Sequence, residues 1–289
     1  IDNFSALLGV FGFETNHWSL QIILPVGISF YTFHGLSYVI DIYNDKIKPE
    51  ESLFDYSLFV SFFPLLVAGP IERATHLLPQ FKQKRHFNYS KTVDGLRQIL
   101  WGLVKKVVIA DNCAVYVNQI FDAPENLSGS SLALGAILFS FQIYGDFSGY
   151  TDIALGTARM LGINLIQNFS FPYFSRDIAE FWRRWHISLS SWFKDYVYIP
   201  LGGSFGSKAA KIRKVFVIFL LSGFWHGVNW TFLFWGFLHA VFYIPILLFN
   251  NNRNYLTIVS PDNFKSSVIS LLQILITFSL VTLAWVFFR

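Results

Sequence analysis

The sequence predicts an all-α, polytopic transmembrane helical protein, and three observations carry that prediction. Apolar residues make up 53% of the 289 positions and charged residues only 14%, with a mean hydropathy of +0.44. An ordinary soluble domain carries about 25% charged residues, so this balance belongs to another class. Several apolar runs approach the roughly 20 residues that a helix needs to cross a bilayer. Finally, the cations gather in short segments between those runs, as topology-setting loops do, and not on one soluble face. The net charge of +4 therefore predicts a lipid bilayer as partner and no nucleic acid. One Cys and one Met among 33 Phe exclude a disulfide framework and a cysteine-rich metal centre.

Residues 21–43 are the first expected span, with Pro25, Gly27 and Gly35 tolerated as membrane helices tolerate them. His34 lies inside it, and its helical spacing from Tyr31 and Tyr38 reads as a hydrogen-bonded core histidine. Residues 56–71 form a shorter run broken at Ala68-Gly-Pro-Ile-Glu-Arg73, a re-entrant or terminating segment in which Glu72 and Arg73 can pair. The cationic stretch at 82–86 reads as a cytoplasmic loop. Lys105 and Lys106 interrupt residues 99–110 and predict an interfacial or snorkelling helix.

Residues 131–144 lead into Gly145-Asp-Phe-Ser-Gly-Tyr-Thr-Asp152 and then into 153–163. Asp146 and Asp152 each suit either a helix cap or the wall of a polar cavity. Six positions apart, and with no local His, they do not read as a metal pair, so no metal is expected. Residues 171–214 are rich in Trp and Tyr interleaved with Arg and Lys, which fits a membrane face or a segment dipping into a cavity. A flexible, basic, cytoplasmic loop is expected at 202–214. Further apolar segments follow at 215–224, 230–249 and 267–288. Residue 1 is Ile and the last run stops at Arg289, so residues 1–289 read as a single domain cut from a longer protein with more helices on either side.

The chemistry concentrates in two places. Phe181-Trp-Arg-Arg-Trp-His186 and Phe224-Trp-His226-Gly227 put histidines among aromatic and apolar neighbours, where an ionisable side chain marks a functional site by default. A neutral imidazole at His226 suits a general base for a hydroxyl attacking an acyl group, and Gly227 allows a close approach. The same residue also suits helix packing. His186 shares a face with Trp182, Arg183, Leu189 and Ser190 if residues 181–190 are one helix. Trp185 and Trp225 are candidates for lining the same cavity. His239 reads as a structural partner, and His17, His76 and His86 as loop residues. Arg183, Arg184 and Lys194, with Lys211, Arg213 and Lys214 beyond, read either as anchors or as a phosphate-binding mouth for a pantetheine-bearing acyl donor. No nucleotide loop, dinucleotide fingerprint or metalloprotease helix is present.

The ordered series Gly27-Ile-Ser-Phe-Tyr-Thr-Phe33, Leu66-Val-Ala-Gly-Pro-Ile71, Asp146–Asp152, Phe181–Ser190, Tyr198-Ile-Pro-Leu-Gly-Gly203 and Trp225-His-Gly227 resembles the membrane-bound O-acyltransferases. The branch it looks most like is the bacterial alginate O-acetyltransferase type, with the teichoic acid D-alanine transfer proteins as cousins. The resemblance implies helices, some re-entrant or interfacial, around a central funnel or tunnel in a multi-pass bacterial inner membrane protein. It implies His226 as the catalytic residue and His186 as its partner. It also implies an acyl-CoA or acyl carrier protein donor with no bound cofactor, a polysaccharide acceptor and an extracytoplasmic acyltransferase partner protein. Intramembrane acids and histidines also suit a proton-coupled transporter or channel, and a non-catalytic scaffold of a polysaccharide-export complex is the third expectation.

Overall fold

The computed structural model describes residues 27–227, 229–251, 254–256 and 264–289. His17 and positions 21–26 of the first expected span lie outside the described residues. All regular structure among the described residues is helical. Helix α1, Ile28–Tyr43, starts directly after Gly27, whose φ of 84° is left-handed. A Cβ there would collide with the Leu66 carbonyl, so glycine is needed for backbone angle and close approach alike. Gly27 therefore stands at the N-cap of this helix.

Helix α2, Leu53–Ser61, is capped by Ser52 and gives way to a single tight turn, Phe63–Leu65, containing Pro64. Helix α3 covers Ala74–Lys82. The expected Glu72–Arg73 pair does not form. Glu72 is fully buried and bonds His76 Nδ1 at 2.7 Å and the Ile166 N–H at 2.6 Å, while Arg73 turns to Asp195 at 3.4 Å. Adjacent residues leave the backbone in different directions, and here each found its partner in another segment. His76 is consequently a helix residue, not a loop one.

Helix α4, Tyr89–Leu103, runs through a widened π-type segment, Val104–Ala110, into α5, Asp111–Asp122. It packs on α6, Gly129–Met160, whose 32 residues extend about 48 Å at 1.5 Å per residue. Two glycine pairs set the contact: a Cβ on Gly102 would stand 2.5 Å from the Gly149 oxygen, and one on Gly95 2.7 Å from the Gly156 oxygen. Only small residues let two helix backbones come this near. That approach corrects two expectations. Lys105 does not snorkel; it is buried in an ion pair with Asp152 and donates to the Ser148 carbonyl at 3.3 Å. Neither Asp146 nor Asp152 caps a helix, because α6 runs through both without a break.

Helix α7, Ile178–Arg184, is capped by Asp177, whose side chain accepts from the Glu180 N–H at 2.6 Å. Helix α8, Ile187–Phe193, continues into a π-type turn at Lys194–Tyr198. The basic stretch at 202–214 is only partly a loop: Ser207 caps α9, Lys208–His226. Lys214 is buried, donating to the carbonyls of Gly203 and Phe205 at 3.0 and 2.9 Å. Helix α10, Trp230–Leu248, returns along α9 from an Asn229 cap, with Gly223 and Gly236 each facing the other helix's backbone. Helix α11, Phe264–Phe288, closes against α10 and α6. The largest core gathers Phe169, Phe181, Trp185, Trp235 and Trp285. Among the described residues, two helices are long and apolar enough to cross a membrane, Trp230–Leu248 and Ser266–Phe288.

Candidate active site

Residues 181–190 do not form one helix. The chain leaves α7 at Arg184, passes through extended Trp185, and turns at His186 in the left-handed conformation, φ 45° and ψ 53°, before α8 begins. A non-glycine residue in that region is uncommon and stays there only when its surroundings hold it. Here residues 168–170 run beside the kink: the Asn168 carbonyl accepts from the Ile187 N–H at 2.9 Å, and the Arg184 carbonyl accepts from the Ser170 N–H at 3.0 Å. The shared helical face expected for His186 and Trp182 is therefore lost, and the bend points His186 inward instead.

His186 is buried and stands edge-on to Phe147, with ring centroids 4.7 Å apart. Its other aromatic neighbour is Trp225, at 6.4 Å. Trp225 in turn lies 4.6 Å from His226. The two predicted histidines thus flank one tryptophan, although the chain reaches them from different helices. His226 ends α9, partly exposed, between Trp235 at 5.2 Å and Phe288 at 5.0 Å. Gly227 follows in extended conformation, and a Cβ there would meet the Phe232 ring at 2.5 Å. The glycine is required by that ring packing.

Three cavities lie in this part of the protein, and neither His186 nor His226 is itself among their lining residues. One of about 380 Å³ is lined by Arg183, Lys194, Ser190, Tyr198, Ile187 and Ser222, among others. It joins a cationic rim to the residue after His186 and to the residue one turn before His226. A second, of about 430 Å³, is lined by Asp146, Lys106, Phe147 and Phe288, so it lies behind the rings that touch the two histidines. The third, of about 820 Å³, contains Asp152, Lys105, Gln98, Tyr144 and Phe169.

The predicted cations divide. Arg183 and Lys194 face the 380 Å³ cavity, and Arg183 also donates to the Tyr255 carbonyl at 3.3 Å. Arg184 is drawn off by buried Glu180 at 2.6 Å, which also holds Arg176. Trp185 is sunk in the main core, and Trp225 lies within ring contact of both histidines. His239 is buried among Phe181, Trp182 and Trp235, where Nδ1 accepts from the Trp182 indole N–H at 3.3 Å. His34 bonds neither nearby tyrosine; its Nε2 accepts from the Glu72 N–H at 3.1 Å.

Sequence reasoning missed Asn168 and Glu180. Asn168 is fully buried, and its Oδ1 receives the Ser188 N–H at 3.2 Å and the Ser188 hydroxyl at 2.9 Å and lies 3.1 Å from His186 Nδ1. Its available signal was an amide within Gln167-Asn-Phe-Ser-Phe171, between apolar neighbours. Glu180, three positions after Asp177, matched the pattern of a capped first turn.

Residues 49–267 match the family model for MBOAT, the membrane-bound O-acyltransferase family, and the chain belongs to that family. It is 40% identical over its whole length to the probable alginate O-acetylase AlgI of Pseudomonas aeruginosa, covering 53% of that protein. The peptidoglycan O-acetyltransferase of Helicobacter pylori is 40% identical across 96% of the chain and 55% of its own length. The teichoic acid D-alanyltransferase of Bacillus subtilis is 28% identical across 95% of the chain and 71% of its own length. The chain spans about half the length of the O-acetylating relatives. The family is the one that the ordered motifs predicted.

Proposed function

We propose that the parent protein is a multi-pass O-acyltransferase of a bacterial inner membrane. It passes acetyl from a cytoplasmic thioester, acyl-CoA or an acyl carrier protein, toward hydroxyls of an exported polysaccharide through an extracytoplasmic partner acyltransferase. The observation supporting this reading is that His186 and His226 both stand within ring contact of Trp225, while a cavity that reaches Ile187 and Ser222, close to each of them in the chain, is lined by Arg183 and Lys194. The chain's similarity to an alginate O-acetylase and a peptidoglycan O-acetyltransferase favours acetyl and a cell-envelope acceptor.

In this reading a phosphopantetheine arm lies in the 380 Å³ cavity with its phosphate toward Arg183 and Lys194, since cations at an otherwise apolar wall recognise phosphate. The acceptor oxygen attacks the thioester carbonyl carbon, a C–O bond forms and the C–S bond breaks. His226 takes the hydroxyl proton and returns it to the departing sulfur, so the donor leaves as a thiol. His186 orients the reacting groups, and the surrounding rings keep water from hydrolysing the thioester.

The test is polymer-linked acetate in cells carrying the full-length parent, wild type against His226→Ala at matched membrane abundance. Loss of acetate supports the reading, and unchanged acetate removes His226 from it. The Lys105–Asp152 pair on the 820 Å³ cavity is the feature that favours the transporter reading. Proton flux that persists when acetate transfer is lost would select it.

A further inference from the structure

The three buried histidines of the described residues differ in which ring nitrogen the protein has claimed, and hydrogen-bond chemistry fixes the tautomer of each. A backbone N–H and an indole N–H can only donate, so the nitrogen facing one must be the bare acceptor of a neutral imidazole. His34 accepts at Nε2 from the Glu72 N–H, and His239 accepts at Nδ1 from the Trp182 indole. In both rings the lone pair is consumed and the second nitrogen carries the hydrogen. Neither ring has a base left to offer.

At His186 the polarity is reversed. The Ser188 N–H, a pure donor, points at the Asn168 side chain at 3.2 Å and fixes that end as the carbonyl Oδ1. The opposite amide orientation would set two donors against each other. Oδ1 lies 3.1 Å from His186 Nδ1 and can only accept, so Nδ1 holds the hydrogen and Nε2 is the bare nitrogen. Nε2 is buried and makes no hydrogen bond among the described residues. The Ser188 hydroxyl completes the arrangement: its hydrogen goes to Oδ1 at 2.9 Å, which leaves its oxygen, 3.5 Å from Nδ1, as a second weak acceptor.

We infer that Asn168 is a positioning residue for acyl transfer: its carbonyl holds His186 in the Nδ1–H tautomer and leaves the Nε2 lone pair unclaimed. The inference rests on the proposed role of His186 in transfer. The same residue holds the bend, because its backbone carbonyl receives the Ile187 N–H. One asparagine therefore sets both the direction of the ring and its proton. Losing tautomer control at a catalytic histidine costs about 10⁴-fold in the serine protease triad, where a buried aspartate is the holder. A neutral amide makes a weaker bond, and about 10²-fold is expected here.

The experiment uses the full-length parent in lipid nanodiscs with isotope-labelled histidine, at alkaline pH where the rings are neutral, with the His186 signal assigned by its loss in His186→Gln. Nitrogen chemical shifts are expected to show a protonated Nδ1 and a bare Nε2. Asn168→Leu is expected to abolish that tautomer preference and to lower kcat by about 10²-fold, leaving the donor KM near wild type, while Asn168→Asp, which keeps an acceptor, retains the tautomer and most of the rate. A wild-type His186 protonated at Nε2 overturns the inference, as does a wild-type kcat in Asn168→Leu. If Asn168→Leu fails to reach the membrane, the wild-type spectrum and Asn168→Asp decide. Full transfer by His186→Gln would instead sink the proposed role of His186, and the tautomer would still be read from the spectrum.

Discussion

His186 and His239 occupy similar surroundings and are prepared for different work. Both are buried among phenylalanine and tryptophan rings, but His239 sits within the regular helix α10 while His186 occupies a left-handed bend between two short helices. The helix delivers His239 to a neighbouring indole, whose N–H takes its lone pair. The bend delivers His186 to an amide oxygen, which takes its hydrogen. The two rings thus leave different nitrogens bare, and the apolar character of their neighbours does not distinguish them.

The most severe test of this contrast is His226→Ala. Loss of a general base costs 10²–10⁴-fold, and a fall of about 10³-fold in acetate transfer is expected at equal protein abundance. Near-normal transfer would leave His186 without a partner and dissolve the comparison. Asp152→Ala comes next, because it strands buried Lys105; a loss of about 3–5 kcal/mol is expected in chemical unfolding. The double change Lys105→Met with Asp152→Leu should recover most of it, since apolar residues of similar volume often replace a buried pair without cost. Should Asp152→Ala remain fully stable yet lose transfer, the α4–α6 seam would belong with the reactive region and not the structural one.

His239→Phe sharpens the contrast from the other side. It leaves the Trp182 N–H without its acceptor, for about 1–3 kcal/mol of stability, and transfer per folded molecule is expected to stay at the wild-type level. A selective loss of transfer would move His239 into the site. The smallest effect belongs to His76 on α3, outside the two helices long and apolar enough to span a membrane. The hydrogen bond to the Glu72 carboxylate raises its pKa above the ordinary 6.5, with burial opposing. A raised folded value means that the stabilisation is complete below 6.5 and fades as pH climbs through the raised value. The melting temperatures of wild type and His76→Ala are therefore expected to differ most at mildly acidic pH and to converge at alkaline pH.

Much of the fold was legible in the sequence because bilayer insertion and helix formation depend on local composition. The apolar runs at 230–249 and 267–288 became α10 and α11 nearly residue for residue. The cationic segments misled, since a lysine's charge says nothing about whether a carboxylate waits on another helix. Lys105 reads as a snorkelling residue until the Gly95–Gly156 and Gly102–Gly149 contacts bring α6 close enough to place Asp152 against it. Lys214 reads as loop until two carbonyls of the preceding turns enclose it.

The candidate site divides in the same way. His186 and His226 stood out by sequence alone, because titratable side chains within aromatic, apolar runs are costly and therefore informative. Their ordered motifs also determined the family. What only the tertiary structure decided is that the two meet at Trp225, that Arg184 is spent on Glu180, and that Asn168 holds the ring of His186. Each of these joins segments separated along the chain, and a hydrogen bond fixes a proton only where folding has set one particular donor against one particular acceptor.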